Sequence, residues 1–132
     1  MIVVDTSVLL DVLTGDAHWA ELSQAALDEA SAQDDLVINP IIYAELSAYY
    51  LTIDDLESVI AELPLKYFEM PRSALFLAAK AFQRYRRRGG TKVNVLPDFF
   101  IGAHAAAERA SLLTRDPSRV RAYFPTVGLI NP

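Results

Sequence analysis

The sequence predicts an α/β protein in which a central, mainly parallel sheet of four to five strands is covered by helices on both faces. Short β-branched or apolar runs alternate along the chain with longer segments of helical periodicity, and that alternation is the pattern of a parallel sheet. The composition is that of a packed interior, with 52% hydrophobic and 22% charged residues and a mean hydropathy of +0.20. Length sets the scale: 132 residues suffice for one domain with its own core, so a single domain over 1–132 is expected.

Met1–Asp5 is a β-branched run, read as a buried central strand. Asp5, Thr6 and Ser7 then offer side-chain caps for a helix through Val8–Leu13, which Gly15 and Asp16 break. His18–Ala32 is rich in Ala and Leu, with charges along one face, and reads as an amphipathic helix. Leu36–Ile38 is a second strand. Asn39-Pro40 opens the next helix with proline in its first turn, and Thr52 caps a further helix to Leu63 ahead of acidic first-turn residues. Pro64 ends it, and Leu65–Phe68 reads as a third strand.

Pro71 starts a long helix, Arg72–Arg88, stopped by Gly89-Gly90. Thr91–Leu96 is a loop or short extended piece. Pro97 then begins a helix with Asp98 in its first turn, running to Arg109. Ser111–Thr114 is a fourth strand, followed by the turn Arg115-Asp116-Pro117, and Val127–Ile130 a fifth.

Several chemistries are excluded at once. With no cysteine, the chain has no disulfide, no zinc–thiolate site and no thiol nucleophile. The apolar N-terminus has no preceding basic residues and is interrupted by two aspartates, so neither a signal peptide nor a membrane span is expected, and the location is expected to be cytoplasmic. The net charge of −5 hides a strong asymmetry. Residues 1–65 hold 13 Asp/Glu and no Lys or Arg, whereas residues 66–132 hold 4 acidic and 12 basic residues, so the two halves carry −13 and +8. Such a split fits an acidic site beside a basic wall.

Four acidic residues occupy equivalent places. Asp5 ends the first strand, Glu45 lies about one turn inside the helix after the second, Asp98 opens a helix and Asp116 follows the fourth strand. In a parallel sheet, strand C-termini and the helix N-termini after them share one edge, where ligands bind. Each residue alone has a plainer reading: a helix cap for Asp5, a dipole-favoured helix starter for Asp98, turn chemistry for Asp116 and a solvated helix residue for Glu45. Together, bedded among Ile41, Ile42, Leu46, Leu96, Phe99 and Phe100, they point to a shared site. Crowded carboxylates repel, and an oxygen-seeking divalent cation, Mg²⁺ or Mn²⁺, relieves the repulsion.

MIVVDTSVLLDVL, NPIIYAEL, LPDFFIGAHAA and LLTRDP resemble, in order, the four elements of PIN-domain ribonucleases. The ending YFPTVGLINP resembles the tail of VapC toxins from toxin–antitoxin pairs, and the resemblance covers nearly the whole chain. It implies a three-layer α/β/α PIN-like fold and an endoribonuclease that cuts structured RNA, tRNA or rRNA, by metal-activated water and so inhibits translation. It implies that Asp5, Glu45, Asp98 and Asp116 hold Mg²⁺ or Mn²⁺, and that Thr6, Ser7 or Thr114 orients a water or carboxylate. It also implies a homodimer and a cognate VapB-type antitoxin partner. Two other readings are weaker. A haloacid-dehalogenase-like phosphatase needs a second aspartate two residues after the first, and position 7 is Ser. A non-catalytic, partner-binding PIN module would have lost the acidic set, which is intact.

The run Arg84-Tyr85-Arg86-Arg87-Arg88, with Lys92 close behind, directly precedes Asp98. Helix-dipole complementarity accounts for one or two of these cations, and a groove for the RNA backbone accounts for the rest. Arg115 either binds phosphate or pairs with Asp116. His18 with Trp19, and His104, read as packing rather than metal-binding residues. The apolar stretches Ile41–Leu51 and Leu75–Phe82 are generous for so small a domain and suggest a surface covered by another chain.

Overall fold

A computed structural model describes all residues, 1–132. The elements run β1 (Ile2–Val4), α1 (Thr6–Leu13), α2 (Ala20–Gln33), β2 (Leu36–Ile38), α3 (Pro40–Ser47), α4 (Ile53–Glu62), β3 (Lys66–Tyr67), α5 (Arg72–Arg87), α6 (Leu96–Ala107), β4 (Ser111–Leu113), α7 (Ser118–Tyr123) and β5 (Gly128–Ile130). Five strands form one sheet in the order β3-β2-β1-β4-β5, every pairing parallel. Successive strand residues point to opposite faces. Since every residue of β1 and β2 is buried, helices must cover both faces, giving the three-layer arrangement.

Local chemistry explains most boundaries. Asn39 caps α3, its side-chain oxygen accepting from the Ile42 N–H at 3.0 Å, with Pro40 in the first turn. Thr52 does the same for α4, accepting from the Asp55 N–H at 3.2 Å. Gly89, at φ +91°, follows the end of α5, a conformation that favours glycine. Residues 91–95 carry no strand.

Three expectations need correction. Helix α1 starts at Thr6, two residues earlier than read, and the Asp5 side chain does not cap it. The third strand shrinks to two exposed residues at the sheet edge. Residues 118–123, to which the sequence pattern assigns no element, form α7, whose Val120 is buried against the core.

The core includes an aromatic knot in which fully buried Phe99 meets Phe82, Tyr85, Tyr123 and Phe124 with centroids 5.2–6.3 Å apart. Gly102 of α6 lets Phe124 come close, since a Cβ there would lie 2.6 Å from its ring. His104, fully buried, accepts at Nδ1 from the Asn39 amide at 3.0 Å, which assigns its proton to Nε2. Burial lowers its pKa, so the ring is neutral and packs, as its position in the sequence suggested. No helix is long and apolar enough to cross a membrane.

Candidate functional site

Chain order and sheet order together create the site. The chain builds outward from β1 through β2 to β3, then returns to place β4 and β5 on the other side of β1. Ligands of open parallel sheets bind at such a switch point, outside the strand C-termini. Asp5 follows β1 there, Thr114 and Asp116 follow β4, and Glu45 and Asp98 project from α3 and α6 toward the same edge. All four acids line one cleft of about 230 Å³, backed by Leu10, Ile101, Leu112 and Val120.

Hydroxyls hold the carboxylates in place. Thr114 donates to Asp5 Oδ2 at 2.8 Å and Ser7 donates to the same oxygen at 2.9 Å. That leaves Asp5 Oδ1 without a protein donor. Buried Thr6 donates to Glu45 Oε1 at 2.7 Å, tying α3 to α1. Thr114 also accepts from the Asp116 N–H at 3.1 Å, which fixes the turn carrying that residue. All three candidate hydroxyl residues therefore act on acids: Thr114 and Ser7 on Asp5, and Thr6 on Glu45.

The acids differ in electrostatic setting. Burial raises the Asp98 carboxyl to about 6, with the Asp5 and Glu45 charges adding to the effect and Arg119 opposing it. Burial also raises Glu45, which Asp5 reinforces and the Thr6 hydrogen bond resists. Asp5, Glu45 and Asp98 thus form one interacting group. Asp116 is exposed at the rim, where its Oδ1 accepts from Ser118 Oγ at 3.3 Å.

No three His, Asp or Glu side chains stand close enough together to hold a metal ion as they are placed here. The donor set still fits a hard divalent cation. It is all oxygen, it carries mutual repulsion that positive charge would relieve, and it is open on one side for water and phosphate. Asp5, Glu45, Asp98 and Asp116 are the residues that would hold the ion.

Two arginines at the site behave unlike anything read from the sequence. Arg115 neither faces the cleft nor pairs with Asp116. Its Nε and Nη2 donate to the two oxygens of Asp11 at 2.9 and 3.0 Å, its guanidinium lies over the Trp19 ring at 5.1 Å, and Ser23 donates to the same aspartate at 2.8 Å. Asp11 is only 3% exposed, so this bidentate pair makes Arg115 a structural clamp in the folded chain. Arg119 of α7, missed in the sequence, donates from Nη1 to Asp98 Oδ2 at 2.8 Å inside the cleft wall. A six-residue helix carries too little periodicity to be noticed, although Val120 between two arginines was a signal available.

The basic run lies at the end of α5 that leads to this cleft. Arg84 is half-buried, and Arg86, Arg87, Arg88 and Lys92 are exposed. None of the five forms an ion pair within the chain. Arg88 lies over Tyr123 of α7 at 5.3 Å and Arg119 over Tyr85 of α5 at 6.0 Å, so the basic end of α5 and the cleft wall are one continuous surface. Away from the cleft, Leu51 is 99% exposed and Ile53 and Phe76 are each 67% exposed.

Residues 2–124 match the family model described as PIN domain. No curated protein sequence matches the chain. Among solved structures it is similar to VapBC2 from Rickettsia felis bound to a DNA fragment from their promoter, with 20% identity over 99% of this chain and 98% of that one and a TM-score of 0.73. It is also similar to a toxin–antitoxin complex from Klebsiella pneumoniae (21%, 100% and 98%, TM-score 0.71) and to FitAcB from Neisseria gonorrhoeae (23%, 100% and 98%, TM-score 0.71). At these identities the likeness is one of fold.

Proposed function

The chain belongs to the PIN-domain family, and from that premise we propose that it is a Mg²⁺- or Mn²⁺-dependent endoribonuclease, the toxin half of a VapC-type toxin–antitoxin pair. Its substrate is structured RNA, tRNA or rRNA, whose cleavage stops translation. The observation that carries this reading is the mutual electrostatic strain of Asp5, Glu45 and Asp98 around one open cleft. A phosphatase of the haloacid-dehalogenase type has no support in family or site, and a purely partner-binding module would have no use for so costly a cluster of acids.

A divalent ion held here supplies an activated water and neutralises charge on the phosphodiester. The chain's own residues set the geometry. Thr114 and Ser7 occupy Asp5 Oδ2 and leave Oδ1 without a protein donor, so Asp5 would be able to hold the ion. Thr6 orients Glu45, and Asp98 and Asp116 complete the acidic wall. Arg84, Arg86, Arg87, Arg88 and Lys92 draw the RNA backbone toward the cleft. The exposed Leu51, Ile53 and Phe76 favour a protein partner, and we assign that role to a VapB-type antitoxin and a second copy of the chain.

Purified protein is expected to cut RNA with Mn²⁺ or Mg²⁺, to lose that activity in EDTA, and to lose it by at least about 100-fold on Asp5→Asn. Cleavage that survives EDTA, or that Asp5→Asn leaves intact, overturns the reading.

A further inference from the structure

The two arginines beside the cleft are held in opposite ways. Arg115 has both ends of its fork on one buried carboxylate. Arg119 has a single hydrogen bond, from Nη1 to an Asp98 carboxylate that is 43% exposed, and the structure gives its other N–H groups no partner. Its side chain is 24% exposed, lies along Tyr85, and stands between the acids and the basic end of α5. A guanidinium carries a fork of donors that matches two phosphate oxygens. Here that fork waits, mostly unused, where the polyanion enters.

Asp98 cannot serve Arg119 and a divalent ion equally well. A dication seated against Asp5 and Asp98 repels a guanidinium in contact with the same oxygens, at a separation where unit charges interact strongly. Arg119 is therefore the group that must yield when an ion binds, and it lines the cleft beside the acids, with Tyr85 of α5 against its guanidinium.

We propose that Arg119 is the residue that grips the phosphodiester to be cut, and that its ion pair with Asp98 is the resting position it leaves when a divalent ion takes that carboxylate. The inference rests on the nuclease reading above. It makes Arg119 a competitor of the ion in the absence of RNA and a catalytic residue in its presence, so its removal must move two measurements in opposite directions.

The test compares wild type, Arg119→Gln and Arg119→Lys. Mn²⁺ affinity is measured by calorimetry on RNA-free protein, and kcat and KM on an RNA substrate. Arg119→Gln is expected to bind Mn²⁺ about threefold to fivefold more tightly, because a competing ion pair is gone, while kcat/KM falls by about 10- to 100-fold. Arg119→Lys keeps the charge but loses the fork, so it should restore wild-type Mn²⁺ affinity without restoring kcat/KM. If Arg119→Gln weakens both, or leaves Mn²⁺ affinity or cleavage unchanged in a protein that otherwise cuts RNA, the role of Arg119 is overturned alone. A wild-type protein that neither binds Mn²⁺ nor cuts RNA overturns it together with the nuclease reading.

Discussion

Asp5, Glu45 and Asp98 feel one another across the cleft, and Asp98 is affected most, its carboxyl raised to about 6 by burial first and by Asp5 next. Folded protein without a metal therefore keeps a proton on Asp98 that the unfolded chain, with a carboxyl near 3.8, has already lost. Stability must fall as pH rises through that window and stay lower above it. In EDTA, Asp98→Asn should stabilise the protein by about 1 kcal/mol at pH near 7.5 and not at all near pH 4, the gain being small because solvent screens a half-exposed group. Urea unfolding at the two pH values checks this, and an equal effect at both would contradict it. The same proton opposes an ion, so Mn²⁺ affinity should decline as pH drops through about 6. The four acids were legible in the sequence because Asp5 and Asp116 follow strands, Asp98 opens a helix and Glu45 lies one turn inside the helix after a strand, and a parallel sheet brings such places together. The partner of Arg115 was not legible: Asp11 lies 104 positions away, within a segment whose pattern speaks only of helix.

At the scale of elements, the turn after β4 is held by two devices. Thr114 fixes it to Asp5 from the cleft side, and Arg115 fixes it to α1 from behind through Asp11. Arg115→Ala would leave a buried carboxylate with only the Ser23 hydroxyl, and should cost about 3 kcal/mol in urea unfolding. Asp11→Ala combined with Arg115→Ala should recover part of that loss, since the stranded charge is gone; a double variant less stable than both single variants together would refute the clamp. Helix α6 depends on a missing side chain. Gly102→Ala puts a methyl 2.6 Å from the Phe124 ring and should destabilise by about 1–3 kcal/mol, read as a lowered Tm. The helices α1 to α6 were foreseen to within a few residues from caps and prolines, because those signals are local. The shortness of β3 and the existence of α7 were hidden, because both are decided by packing rather than by pattern.

For the molecule as a whole, the proposed nuclease function makes the uneven distribution of charge the feature that would set behaviour toward RNA. The overall −5 would repel a polyanion, yet the cations at the end of α5 form no ion pair within the chain, so on the proposed reading recruitment is local and ionic. With Asp5→Asn to prevent cutting, RNA binding followed by anisotropy should weaken steeply with salt. Arg86, Arg87 and Arg88 changed together to Ala should make the log–log slope shallower by about 2, and an unchanged slope would remove this surface from the binding path. The fold class, five parallel strands between helical layers, was readable from alternation alone. The charge asymmetry was readable too, but not its consequence, because only the fold shows that Tyr85, Arg88, Arg119 and Tyr123 join the two regions.

The Thr114–Asp5 hydrogen bond spans 109 positions. β4 slides in beside β1 only after almost everything else has been laid down, and it brings Thr114 and Asp116 with it. A ribosome midway through this message displays Asp5 and Glu45 on a chain still short of Asp98, of the hydroxyl that aims Asp5 and of the strand that closes the pocket. A half-made copy therefore lacks a complete pocket, and any fragment ending before Ser111 is without Thr114, Asp116 and the strand that carries them.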